Sequence, residues 1–184
     1  YNGAANWDDG AGSIVVGTDG NIYAAGISEA SGTYADFVAI SLTSSGVERW
    51  VYRSSGPGQS ADSAASIVVG LDGNVYITGR IYGSGTSADF SVVSLTQSGA
   101  ERWVYRYNGP ADLWDEGRSV AIGSDGNLYV AGWCSVSLFR TDFTVISLFP
   151  DVGVGEAREA GARKQEAGLL QNSPSRFTGS TTIR

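Results

Sequence analysis

The chain has 184 residues and a net charge of −7, which argues against nucleic acid as a partner. It contains no His, the commonest general base and metal ligand. Its single Cys, Cys134, can form neither an internal disulfide nor a Cys-rich zinc site. No stretch approaches 18 consecutive apolar residues, so no transmembrane helix is expected. With no Met either, residue 1 is not a translation start. The chain is expected to be a processed form or a fragment, and the missing signal peptide leaves its compartment open.

The first apolar run, Ser13-Ile14-Val15-Val16-Gly17, is compact and β-branched, as in a strand buried on both faces. Asp19-Gly20 follows and predicts a tight hairpin with a type I′ turn, which wants positive φ at both central residues. Asn21 to Gly26 returns as a second strand, with Tyr23 on one face. A Gly/Ser/Thr loop through 28–35 leads to a third strand, in which Phe37, Ala39 and Ser41 alternate with Val38, Ile40 and Leu42. Ser45-Gly46 then turns the chain into a fourth, where Glu48, Trp50 and Tyr52 alternate with Arg49, Val51 and Arg53. The predicted strands are 11–17, 21–27, 36–43 and 47–53, and nothing before residue 150 has a 3.6-residue period.

This unit repeats. Asp19-Gly20-Asn21 recurs as Asp72-Gly73-Asn74 and Asp125-Gly126-Asn127, each step being 53 residues. The same step carries Tyr23 to Tyr76 and Tyr129, Gly26 to Gly79 and Gly132, and Asp36-Phe37 to Asp89-Phe90 and Asp142-Phe143. It also carries Glu48–Arg53, with Trp50, onto Glu101–Arg106, with Trp103. Residues 1–53 and 54–106 agree at about 30 of 53 positions without a gap, far above chance. The chain divides into repeats at 1–53, 54–106 and 107–150, and a tail at 151–184. The third repeat lacks its last strand, because Glu156 stands where a third Trp is expected. Four antiparallel strands in about 50 residues match a β-propeller blade, whereas a β-sandwich has no reason to repeat at a fixed interval. The expected fold is all-β: a propeller-like array of three 53-residue, four-stranded blades, with an irregular C-terminal tail.

Several repeat motifs resemble a known family. The run Ala64-Ala65-Ser66-Ile67-Val68-Val69-Gly70-Leu71-Asp72-Gly73-Asn74-Val75-Tyr76-Ile77-Thr78-Gly79 is similar to the signature of the bacterial seven-bladed β-propeller (SBBP) repeat. So is its continuation through Gly83-Ser84-Gly85-Thr86, Asp89-Phe90 and Gly99-Ala100-Glu101-Arg102-Trp103. The resemblance covers residues 1 to about 150 and implies a secreted or surface bacterial protein with no catalytic residue set. In the tail, Leu169–Arg184 resembles the opening of a type IX secretion C-terminal sorting domain, with Ser175 and Arg176 replacing the usual Asn-Pro pair. That resemblance implies export across an outer membrane. Residues 156–168 read as a linker or a weak helix.

Few residues suggest chemistry. Each Asp-Gly-Asn turn has one Asp, too few oxygens for a calcium loop, so Asp19, Asp72 and Asp125 are read as turn residues and no metal or cofactor is expected. Asp36, Asp89 and Asp142 are read as backbone-bonding residues at strand starts. Trp50 and Trp103 recur and are read as packing between blades, with Tyr52 and Tyr105. Trp7, Tyr82, Trp114 and Trp133 do not recur, so blade geometry does not require them, and they are candidate ligand contacts. The adjacent acids Asp8-Asp9 and Asp115-Glu116 suit glycoside hydrolysis only at a fixed separation across a cleft. With no nucleophile–base motif, the chain is expected not to be an enzyme. Three functional classes are weighed: a structural and interaction module of the cell exterior, a propeller that binds carbohydrate or protein through loop aromatics, and an enzyme, which the missing His and the lack of a nucleophile–base motif disfavour. Three blades cannot close a ring, so the open faces are expected to be covered by missing upstream blades or by further copies, in a ring or a filament. Thr181-Thr182-Ile183 is the candidate for the missing strand.

Overall fold

The computed structural model describes residues 1–3, 7–29, 34–58, 60–151, 168–169 and 181–183. The expected linker, Gly168 apart, and most of the segment 169–184 lie outside them. β1 (Asp9–Val16), β2 (Ile22–Glu29), β3 (Ala35–Leu42) and β4 (Glu48–Ser54) form one antiparallel sheet in that order. β5 (Ser63–Val69), β6 (Val75–Tyr82), β7 (Ala88–Leu95) and β8 (Glu101–Tyr107) repeat it. β9 (Asp115–Ile122), β10 (Leu128–Ser137) and β11 (Arg140–Leu148) make the third sheet. The described residues contain no helix, and the fold is all-β, with three open antiparallel sheets.

Two short strands, β12 (Gly168–Leu169) and β13 (Thr181–Ile183), pair with β11. Leu169 lies opposite Ile146, Thr181 opposite Val145 and Ile183 opposite Phe143. In the first sheet the equivalent edge is lined by β4, with Val51 opposite Ile40, Tyr52 opposite Ala39 and Ser54 opposite Phe37. The two tail strands therefore occupy, in two pieces, the edge that one continuous strand occupies elsewhere.

The Asp-Gly-Asn hairpins correct one expectation. Positive φ occurs at Gly20 (76°), Gly73 (79°) and Gly126 (80°), but not at the preceding aspartates, so the turns are not type I′. Gly17 N–H donates to Asn21 O at 2.9 Å and Gly20 N–H to Gly17 O at 2.9 Å, closing a three-residue loop that ends in a left-handed glycine. The Asp side chain holds this shape. Asp19 Oδ1 accepts from Asn21 N–H at 3.0 Å, while its Oδ2 accepts from the Asn21 amide at 2.6 Å and the Tyr23 hydroxyl at 2.7 Å. Asp72 and Asp125 make the same three bonds.

The recurring Gly26, Gly79 and Gly132 have a different cause. A Cβ on any of them would collide with the carbonyl oxygen of Gly10, Ser63 or Glu116 on the neighbouring strand. Each sits beside the register shift between the first two strands of its sheet, so a side chain would force the pair apart.

The second sheet packs between the other two. Tyr23 and Phe37 of the first sheet meet Ile67, Ile77 and Val93 of the second. Moved on by 53 residues, Tyr76 and Phe90 of the second meet Val120, Val130 and Ile146 of the third. Each sheet thus has a forward face, which receives the next sheet, and a rear face, which rests on the one before.

Candidate functional site: two open faces and an aromatic cluster

The outermost faces carry the same side chains as the buried ones. Phe37 and Phe90 are fully buried, yet Phe143, their equivalent on the forward face of the third sheet, is 50% exposed. On the rear faces, Ile67 and Val120 are 6% and 8% exposed, whereas Ile14 is 68% exposed. The expectation that this β-branched strand is buried on both faces is therefore wrong for the first repeat. Ile14 and Val16 lie on the rear face of the first sheet, which no described sheet covers.

Polar contacts between sheets repeat as well. Ser13 Oγ accepts from Ile67 N–H at 3.3 Å, and Ser66 Oγ from Val120 N–H at 3.3 Å. Ser119, the third of this series, is exposed. Trp50 Nε1 donates to Gln97 O at 3.0 Å and Trp103 Nε1 to Pro150 O at 3.1 Å, so both rings tie their sheet to the loop of the next. The Tyr52 hydroxyl donates to Glu101 Oε2 at 2.6 Å across the same junction.

Three of the four non-recurring aromatics converge at the rim of the second junction. Trp114, on the loop entering β9, meets Tyr82 at the end of β6 edge-on, 6.1 Å between ring centroids. On β10, Trp133 lies stacked with Trp114 at 6.5 Å. The Arg80 guanidinium lies over the Trp114 ring at 5.0 Å, a favourable cation–π distance. Arg80 Nη1 also pairs with Glu116 Oε2 at 3.2 Å, and Arg118 Nε with Glu116 Oε1 at 3.3 Å. Glu116 is buried, while the residue Trp114 and the Arg118 side chain remain 40% and 60% exposed. Trp7 stands apart, exposed, in the first repeat.

The carboxylates of the adjacent acids Asp115 and Glu116 are each engaged by neighbouring groups. Asp115 Oδ2 accepts from Gly109 N–H and its Oδ1 from Ser135 N–H at 2.8 Å, while Glu116 is engaged by the two arginines. Asp115 belongs to a further 53-residue series, Asp9, Asp62 and Asp115, that is not among the recurring motifs above. Asp62 likewise accepts from Gly56 N–H at 2.5 Å and Tyr82 N–H at 2.7 Å, and Asp9 from Gly3 N–H at 2.7 Å. Each brings the chain entering its sheet onto the first strand. Burial outweighs these amide bonds for Asp62 and Asp115 and raises their pKa values. Asp36 pairs with Arg53 at 2.8 Å, while burial raises the Asp89 carboxyl. Burial also pushes the Cys134 thiol up to about 12, which leaves it a poor nucleophile. Among the described residues no cluster of His, Cys, Asp and Glu is arranged to hold a metal. No described helix is long and apolar enough to cross a membrane.

No family model matches the chain, and no curated protein matches it. Among solved structures, the crystal structure of a protein of unknown function from Bacteroides caccae matches with a TM-score of 0.49 and 13% sequence identity. The match covers 77% of this chain and 42% of that one, so the chain spans less than half of that protein's length.

Proposed function

We propose that the chain is a non-catalytic structural and interaction module, an array of β-propeller-type blades that associates with further copies of itself. The observation that carries this reading is the exposure of Phe143 and Ile14, whose equivalents one repeat away are buried in sheet-to-sheet contacts. The forward face of the third sheet and the rear face of the first are the two halves of a contact already made twice within the chain. A second copy supplies the complementary half for each. The two halves differ, so the association is head to tail, and it either closes into a ring or extends as a filament. The resemblance to SBBP repeats and to the start of a type IX sorting domain supports a place outside the bacterial cell.

Sedimentation velocity over a hundredfold range of concentration tests the reading. The expected result is a mass that rises with concentration in steps of the 19.2 kDa chain. A soluble particle that stays monomeric, with β-sheet circular dichroism intact, would overturn it.

A further inference from the structure

We infer that a cavity on the rear face of the first sheet is a socket for Phe143 of a second copy, with Trp133 of that copy set over Gly10. The inference rests on the self-association proposed above and deepens it, because it fixes the side chains and the register of the contact. It starts from how a Phe is seated inside the chain. The Phe90 ring lies over two glycines of the third sheet, so close that a Cβ on Gly117 or Gly132 would come within 2.9 or 2.7 Å of it. Val130 and Ile146 complete that seat. Phe37 is seated on the second sheet against Ala64, Ile77 and Val93, which stand at the same positions as Gly117, Val130 and Ile146. One repeat earlier still, the first sheet has Ala11, Ala24, Gly26 and Ile40 at the positions of the seat. Together with Val38 they line an open cavity of about 160 Å³.

Size selects an aromatic ring. An apolar cavity of about 150 Å³ takes up one benzene ring, and the lining here is mostly Ala, Gly, Val and Ile. Phe143 is the ring one repeat beyond Phe90, and it is half exposed. The register carries the rest of the junction. Arg80 reaches Glu116 across the second junction at 3.2 Å. One repeat further, Trp133 stands in the place of Arg80, and Gly10 of the receiving copy stands in the place of Glu116. A Cβ on Gly10 would have only the Ile27 side chain within 4 Å, so the indole meets open space where the inner junction holds a carboxylate side chain. Stacking on Trp114 at 6.5 Å orients that indole. Ser119 continues the series of Ser13 and Ser66, which places its Oγ to accept from Ile14 N–H of the receiving copy.

The test is sedimentation velocity with size-swapped variants of the full chain. Ala24→Leu fills the cavity from within, and Phe143→Ala removes the ring that enters it. Ala24→Leu is expected to be at least as stable as the unaltered chain in urea at high dilution, and to weaken association by about tenfold. The double variant Ala24→Leu/Phe143→Ala is expected to associate more tightly than Ala24→Leu alone, because the smaller side chain fits the reduced socket. Ala11→Leu, at an exposed position, supplies the same obstruction should Ala24→Leu not fold. Association of the Leu variants equal to that of the unaltered chain, or a double variant no tighter than Ala24→Leu, overturns the socket and leaves self-association standing. An unaltered chain that stays monomeric at every concentration overturns both and leaves the cavity to another polypeptide.

Discussion

Phe90 and Phe143 are the same residue of successive repeats, so truncating each separates the contribution of the sheet from that of its covering neighbour. Phe90 is fully buried between the second and third sheets, and Phe90→Ala is expected to cost about 3–5 kcal/mol, as large-to-small changes of buried aromatics do. Phe143 is half exposed. Full burial of a Phe contributes about 1.5–3 kcal/mol, so Phe143→Ala is expected to cost the isolated chain only about 1 kcal/mol. On the proposed head-to-tail docking the other half of the ring would become buried, so the same variant should weaken association by about 1 kcal/mol, roughly fivefold. Urea unfolding at high dilution measures the first pair of numbers, and sedimentation measures the last. Equal destabilisation by the two substitutions at high dilution would show that Phe143 is already covered, and the open forward face would not exist.

Three further outcomes follow from the same geometry. Ser66→Ala removes the acceptor of Val120 N–H and should cost about 1 kcal/mol in urea unfolding, whereas Ser119→Ala should leave monomer stability unchanged and weaken only association. Burial, then the bond to Asp72, pushes the Tyr76 pKa up to about 12, and burial pushes that of Tyr105 up to about 12. A phenol with a raised folded pKa stabilises fully below its unfolded value near 10, and that stability is lost as pH rises toward 12. Stability followed by circular dichroism should therefore fall across that window, with the phenolate absorbance of these rings appearing only on unfolding. Cys134 should resist a thiol reagent in the native chain and react at once in denaturant.

Much of this architecture was legible in the residues because the repeat averages out local ambiguity. Asp-Gly-Asn three times at one interval places three hairpins, although the turns differ from the type I′ expected of Asp-Gly. A local motif does not say whether the Asp will take a left-handed conformation, and here its carboxylate bonds the Asn and Tyr that follow instead. The exposure of Ile14 was not legible for a deeper reason. Three blades that cannot close predict two open faces, but a periodic sequence gives the first and last units the same residues as the middle one, so which side chains of β1 lie on the open face shows only in the arrangement in space. The non-recurring aromatics were visible as exceptions, and their convergence was not. Arg80 and Glu116 are 36 residues apart and meet only because the second sheet stacks on the third. The Asp9, Asp62 and Asp115 series lay in plain view at 53-residue spacing, hidden by the acids next to two of its members.

Head-to-tail docking predicts complementation between two variants that are each blocked on one face. Ile14→Asp places a charge on the rear face of the first sheet, and Phe143→Asp places one on the forward face of the third. Each variant alone retains one good face with nothing to receive it, so each should sediment as a monomer. Mixed in equal amounts, they should form a dimer of defined mass, Phe143→Asp offering its intact rear face to the intact forward face of Ile14→Asp. Self-association by either variant alone, or a mixture that remains monomeric while the unaltered chain associates, would contradict it.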